Sequence, residues 1–183
     1  RLAALIIFAA CIFSIGNVQG QITQVGTATT AANSGTTVTV NKPTGVASGH
    51  LLIALITENE TSGGNDIASG DISAPSGWTS IGTIEFGADN GSNEAVASLF
   101  YKIAGGSEGA NYGFTLSGSA DGGYGTIIAY SGVDGTTPID IAGTFSAGAT
   151  GTSLGASSIT TTTSNARVIM LTATSQGASS TIS

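Results

Sequence analysis

The sequence predicts an all-β fold: a two-sheet antiparallel β-sandwich of jelly-roll type, preceded by an N-terminal hydrophobic signal segment. Apolar and polar residues alternate with a period of two, for example in Thr37–Asn41 and Tyr112–Leu116, as they do along a half-buried strand. Continuous apolar runs such as Leu51–Ile56 and Val168–Leu171 are typical of strands in the middle of a sandwich. Clusters of Gly, Asn and Asp separate these runs and predict turns.

These patterns divide the chain into short strands. The alternating segments predict strands at Thr36–Asn41, Trp78–Phe86 and Tyr112–Leu116. The continuous apolar runs predict strands at Leu51–Thr57, Gly125–Ser131 and Arg167–Thr174. Thr-, Val- and Ile-rich stretches between turns predict the remaining strands, at Ile22–Thr29, Ala95–Ile103, Ile139–Thr144 and Ser157–Thr162. The polar, Gly-rich stretch from Glu58 to Gly77 predicts a long loop.

The N-terminal segment is typical of a secretory signal peptide. Arg1 precedes the apolar run Leu2–Ile15, which is shorter than the roughly 18 to 20 apolar residues that a membrane-spanning helix needs. Val18 and Gly20 place small residues at positions −3 and −1 of a cut before Gln21. We therefore expect residues 1–20 to be a signal peptide and the mature protein to be secreted, extracellular or at the cell surface. The alternative is a retained N-terminal helix, either a membrane anchor or the stem of a filament subunit.

Length and composition exclude several classes of protein. Residues 21–183 are enough to form one hydrophobic core, so we expect them to be a single β-sandwich domain. We expect this domain to be truncated at its C-terminus. With 4 Lys and Arg against 11 Asp and Glu, a net charge of −7 excludes a basic surface for nucleic acid. A charged fraction of 8% excludes a disordered chain or a coiled coil. The only cysteine, Cys11, excludes a disulfide framework or a zinc site of several thiolates.

Several short blocks of residues occur in a particular order. They are Gly49–Ala54 (GHLLIA), Pro75–Thr79 (PSGWT), Phe100–Ala104 (FYKIA), Tyr112–Thr115 (YGFT), Ala129–Asp134 (AYSGVD) and Pro138–Asp140 (PID). Through them the chain, from Val46 to about Thr174, resembles a loosely defined group of β-sandwich domains of unassigned activity in secreted bacterial proteins and phage tail or virion proteins. In that group Asp usually follows the first Gly, whereas His50 stands here. The resemblance implies an extracellular jelly-roll-like module, bacterial or phage-related, and no catalytic residue.

Trp78 is the candidate ligand-binding residue. It is the only tryptophan, and exposed aromatic rings stack on sugar rings in many lectin-like sandwiches. The alternative, which the position of Trp78 at the start of a strand favours, is that the ring plugs the core beneath a loop.

A structural Ca²⁺ ion is the only cofactor that we expect, because loop carboxylates and carbonyls bind Ca²⁺ in many sandwich domains. The candidate ligands are Asp66 and Asp71 in the long loop. No segment matches a D-x-D-x-D-G calcium loop, however. Isolated Asp residues in turns more often cap their own backbone, which is the alternative here.

Two features that suggest catalysis have simpler interpretations. His50, the only histidine, lies in a Gly-His turn before a buried strand, so we expect a solvent-facing turn residue rather than a general base. Gly151–Gly155 has the G-x-S-x-G spacing of a nucleophile elbow, but it lacks the preceding buried strand and the following helix that the elbow requires. We therefore expect no catalytic residue and no enzymatic activity.

The sequence predicts a secreted, non-catalytic surface, adhesion or structural module. An exterior of Thr, Ser and Asn with few charges suits contact with extracellular glycans or other surface proteins, because hydroxyls and amides bond without the cost of desolvating ions. Neither nucleic acid nor, once the signal segment is cleaved, a membrane is an expected partner. One alternative is a carbohydrate-active hydrolase with two loop carboxylates about 5 to 10 Å apart in a groove. The other is an extracellular filament subunit that retains its hydrophobic segment and donates a strand to a neighbour.

Overall fold

The computed structural model describes residues 20–60, 67–68, 70–87, 94–117, 120–145, 157–173 and 181–182. Within these ranges the chain forms strands and no helix, which confirms the all-β fold class. The strands are β1 (Thr23–Asn33), β2 (Thr37–Asn41), β3 (Leu51–Glu60), β4 (Thr79–Gly87), β5 (Glu94–Ile103), β6 (Asn111–Thr115), β7 (Gly122–Ser131), β8 (Leu171–Thr172) and β9 (Thr181–Ile182). None of the described segments is a helix of the length and apolarity that crossing a bilayer demands.

Two antiparallel sheets form the sandwich. The large sheet has five strands in the order β1-β7-β3-β5-β4, and the small sheet consists of β2 and β6. Strand β3 lies in the middle of the large sheet, where it pairs with β5 on one side and β7 on the other. The small sheet pairs from Thr37↔Thr115 to Asn41↔Asn111. A separate short pairing joins β8 to β9.

The space between the two sheets holds the main apolar core. Inward residues alternate along each strand, and Val38, Val40 and Leu52 are completely buried. Phe114 of β6 is the largest completely buried side chain, and its ring centroid lies 5.7 Å from that of Phe100 in β5. The rings therefore join the small sheet to the large one.

Strand β7 has a glycine where it meets the small sheet. A Cβ atom at Gly125 would lie 2.5 Å from Val40 Cγ2 and 2.9 Å from Val38 Cγ1, which is closer than real Cβ contacts come. The missing side chain lets β2 approach β7 closely, so the valines fill the space above the backbone of β7.

The opposite face of the large sheet is covered by residues 133–145 and 157–171, which are mostly irregular. Leu51, Ile53, Ile128 and Tyr130 are buried on this face, and their partly buried neighbours in the cover include Val133, Ile139, Ile169 and Leu171. The Arg167 guanidinium lies 5.2 Å from the centroid of the Tyr130 ring. Apolar side chains thus pack on both faces of the large sheet.

The prediction of two strands in this cover is wrong. Residues 139–144 and 157–162 are irregular, and within Arg167–Thr174 the described strand is only Leu171–Thr172. The Asp140 carboxylate accepts the N–H groups of Thr162 at 2.7 Å and Thr163 at 3.3 Å, and the Thr163 hydroxyl at 2.7 Å. Because a side chain satisfies backbone donors that a sheet would use, the segments are held together without strand pairing.

Candidate functional site

Three glutamates lie on the inward face of the large sheet, where β3 ends and β5 begins. The alternation that buries Leu52 and Ile56 continues to Glu58 and Glu60, so these carboxylates share the face of the core residues. Glu94 of β5 is the direct cross-strand partner of Glu60. The three residues are 0%, 3% and 8% exposed, respectively. We call Glu58, Glu60 and Glu94 the carboxylate cluster.

Backbone N–H groups satisfy only some of the oxygens of the carboxylate cluster. The N–H of Ser117 donates to Glu58 Oε2 at 2.8 Å, and the N–H of Ile67 donates to Glu94 Oε2 at 3.3 Å. Glu58 Oε1 and Glu60 Oε2 are buried without a hydrogen-bond partner. A buried carboxylate oxygen without a partner is costly when the group is ionised.

Burial dominates the electrostatics of Glu58. It raises the pKa of Glu58 to about 7, against the opposing Ser117 hydrogen bond and with a further contribution from the negative charge of Asp71. Lys102 lies opposite Leu52 in the register of β3 and β5. About 20 Å of strand therefore separates Lys102 from Glu58. The carboxylate cluster therefore has no basic side chain beside Glu58 in this part of the β3–β5 pairing.

Of the two aspartates predicted to bind Ca²⁺, the structure describes Asp71. Asp66 lies outside the described residues. Asp71 is half-buried, and its Oδ2 atom accepts the N–H of Ala68 at 2.8 Å, which closes a local turn. No three His, Cys, Asp or Glu side chains in the described part of the chain are grouped so as to hold a metal ion. Binding of Ca²⁺ by Asp66 and Asp71 stays a prediction.

Trp78 packs at the other end of the core. Its ring makes edge-on contacts with Tyr112 and Phe114, at centroid distances of 5.1 and 5.3 Å. The side chain is partly buried against the core, and its Nε1 atom is buried without a hydrogen-bond partner. Trp78 therefore forms part of the core wall, and its role as a ligand-binding residue stays a prediction.

A polar network lies beside Trp78. Lys102 Nζ is 3.1 Å from Glu108 Oε2, the Tyr112 hydroxyl donates to the same oxygen at 2.8 Å, and the Gly105 N–H donates to Glu108 Oε1 at 2.7 Å. Burial alone would raise the pKa of Glu108, but these three donors together lower it. The ionised carboxylate ties the 104–110 loop to β5 and β6, which is a structural role.

His50 closes a turn. The N–H of Ala47 donates to His50 Nδ1 at 3.1 Å, and the N–H of His50 donates to the Ala47 carbonyl at 3.2 Å. The side chain is half-buried rather than fully solvent-facing, because the ring folds back over its own turn. Gly151–Gly155, with its nucleophile-elbow spacing, lies outside the described residues.

The outward face of the small sheet carries side chains without charge. Its cross-strand pairs are Thr37↔Thr115, Thr39↔Gly113 and Asn41↔Asn111. Thr39, Asn41, Asn111 and Thr115 are exposed. We call the six residues of these three cross-strand pairs the polar face. Gly113 leaves a shallow notch between threonines, where a Cβ atom would lie 3.5 Å from Thr37 Cγ2.

The sequence did not predict the carboxylate cluster. It predicted a strand that ends at Thr57 and a loop that begins at Glu58. The signal was nevertheless present, since Leu52, Ala54, Ile56, Glu58 and Glu60 continue one alternation. Charged residues at inward positions resemble the start of a solvated loop, and only the pairing of β3 with β5 shows that the strand continues to Glu60.

Comparisons with known proteins give one structural neighbour. No protein-family model matches the chain, and no curated protein matches it. A solved structure of the tripod (BppUct-A-L) from the baseplate of bacteriophage Tuc2009 is similar to the chain at 21% identity, covering 71% of this chain and 78% of that chain. The TM-score of 0.29 is too low for this likeness to carry an argument about function.

Proposed function

We propose that the protein is an extracellular, non-catalytic β-sandwich module that acts by surface contact, with the polar face as its contact surface and a neutral glycan as its partner. The observation that carries this proposal is the outward face of the small sheet, where hydroxyl and amide groups stand in register without a charged side chain. Such groups exchange hydrogen bonds with sugar hydroxyls, and no ion has to be desolvated.

The notch at Gly113 supports a contact along the polar face. With no side chain there, the polar face has space for a methyl-sized group of a partner, such as a sugar hydroxyl, beside Thr37 and Thr39. The inward residues Val38 and Val40 are completely buried, so core packing fixes the positions of the outward groups. A rigid surface loses little conformational freedom when a partner binds.

The burial of the carboxylate cluster counts against its use as the acid pair of a hydrolase, whereas the alternative with two loop carboxylates is left to the experiment below. Glycoside hydrolysis needs two carboxyl groups on either side of a glycosidic bond. Glu58 and Glu60 are 0% and 3% exposed, so a polysaccharide does not reach them in this fold. The filament alternative depends on the N-terminal segment, and residues 1–19 lie outside the described residues.

The test is binding of the full chain to a glycan array and to insoluble polysaccharides. We expect Thr39→Arg, which places a long charged side chain in the polar face, to abolish binding. Thr30→Arg is the matched control, because Thr30 is also exposed on a strand, β1. Equal loss in both variants, or retention in both, would contradict the polar face as the contact surface, and release of reducing sugar would indicate a hydrolase.

Trp78→Ala provides an independent variant. Because Trp78 packs on Tyr112 and Phe114, its truncation lowers the stability of the fold. Loss of glycan binding in a Trp78→Ala protein that stays folded, while Thr39→Arg still binds, would move the contact surface from the polar face to Trp78.

A further inference from the structure

Glu60 and Glu94 are directly opposed residues in the β3–β5 pairing, and both are buried. We propose that these two side chains bind a divalent cation, Ca²⁺, at the end of the large sheet. This site differs from the Asp66 and Asp71 pair that the loop sequence predicts, and it does not depend on the glycan-binding proposal.

The register brings the two charges close together. Directly opposed residues in an antiparallel pair have Cβ atoms about 4.5 to 5.5 Å apart, and like charges placed there destabilise the pair. Glu60 is 3% exposed, and its Oε2 atom is buried without a hydrogen-bond partner. Glu58 is 0% exposed, and its Oε1 atom also lacks a partner. Unpartnered buried carboxylate oxygens on one face are the donor set that a cation satisfies.

The basic residues that the structure describes do not neutralise this pair. Lys42 Nζ donates to the carbonyl of Glu108 at 3.4 Å, and Lys102 Nζ lies 3.1 Å from the Glu108 carboxylate. Arg167 lies over Tyr130 on the other face of the large sheet. Lys42, Lys102 and Arg167 therefore all have partners away from Glu60 and Glu94.

The chemistry of the donors favours Ca²⁺. It is a hard ion that takes six to eight oxygen ligands in flexible geometry, and a carboxylate can supply both of its oxygens. Two carboxylates thus provide up to four ligand oxygens, of which Glu94 Oε2 also accepts the N–H of Ile67. In Ca²⁺ sites generally, main-chain carbonyls and water complete the shell. Because the described residues supply a pair rather than a closed group of three, we expect weak binding, with a Kd of about 10⁻⁴ to 10⁻³ M, as in extracellular modules.

The experiment measures the Tm of the full chain and its binding heat by titration calorimetry at neutral pH. The protein is measured first in EDTA and then in about 5 mM CaCl₂, a concentration above the expected Kd. The same concentration of MgCl₂ serves as the comparison. We expect CaCl₂ to raise the Tm by about 3 °C or more relative to EDTA. Mg²⁺ should raise it less, because that ion requires stricter octahedral geometry.

The variants are Glu60→Gln and Glu94→Gln, with Glu85→Gln as the matched control on the neighbouring strand β4. In EDTA, either of the first two should melt above the parent chain, because one of two facing charges is gone, and neither should respond to Ca²⁺. The control should respond as the parent does. Absence of a Ca²⁺ response in the parent, or an unchanged response in Glu60→Gln and Glu94→Gln, would overturn the proposal; if one variant does not fold, the other decides.

Discussion

The two faces of the large sheet are both apolar, yet they are covered in different ways. The inner face is covered by the paired strands β2 and β6, and Ile127 of the large sheet and Phe114 of the small sheet have no exposed surface in the core between them. The outer face is covered by an irregular segment in which Val168 is 60% exposed and Met170 37% exposed. Strand pairing holds alternate side chains at fixed heights above a sheet, whereas an irregular segment buries only the side chains that happen to point inward. We therefore expect most of the stability to come from the inner face.

The largest effect should come from truncating side chains on the two faces. Phe114→Ala should lower the free energy of unfolding by about 3 to 5 kcal/mol, because it leaves a cavity beside Phe100 and Trp78. Ile169→Ala, in the half-buried outer cover, should lower it by only about 1 kcal/mol. Chemical denaturation measures both, and similar losses would show that the two covers pack equally tightly.

The second test of the comparison is the dependence of stability on pH. The inner face contains a carboxyl group with a raised pKa, Glu58, and the outer cover contains one with a lowered pKa, Asp140. On the inner face, burial raises the pKa of Glu58 to about 7, so the folded state keeps a proton that the unfolded chain loses above about pH 4.5. Stability should therefore fall as pH rises from about 4.5 to 7 and then level off. The loss from this group amounts to about 3 kcal/mol at most.

Thermal unfolding in EDTA across this pH range tests the prediction. Glu58→Gln should remove most of the decline, since glutamine carries no ionisable proton, and Glu85→Gln should leave the decline in place. A decline that is unchanged in Glu58→Gln would assign the pH dependence to another group.

The smallest effect on global stability should come from Asp140 in the outer cover. Its bonds to Thr162 and Thr163 lower the pKa of Asp140 to about 2, so this contact persists above pH 3.8 and is lost as pH falls towards 2. Asp140→Ala should speed hydrogen exchange of the Thr162 and Thr163 amides at neutral pH, while amides of β3 keep their protection. Asp134→Ala, which removes a carboxylate that caps its own turn, is the control.

The sequence predicts the inner face well because its strands follow simple alternation. Val38 and Val40 alternate with threonines in β2, and Tyr112 and Phe114 alternate with Gly113 and Thr115 in β6. The outer cover is different. Ile139 and Ile169 have the spacing of strand residues, but a strand needs a partner for its backbone groups, and the Asp140 side chain takes the donors of Thr162 and Thr163 instead.

The carboxylate cluster shows a second limit of sequence patterns. Composition indicates that a residue such as Glu60 should be solvated, and burial of a charge becomes credible only when its opposite neighbour is known. That neighbour is Glu94 of β5, and β4 lies between the two glutamates along the chain. Pairing between distant strands, rather than local preference, creates the site.

The position of β1 at the edge of the large sheet has a consequence for how the chain folds. Strand β1 pairs with β7, and Thr23 lies opposite Ser131, 108 residues later in the chain. A pairing of such high contact order closes a long loop, which slows folding. During synthesis, β1 leaves the ribosome long before β7 exists. Strand β1 therefore waits without its partner in the sheet while the 108 residues that follow Thr23, up to Ser131, are made.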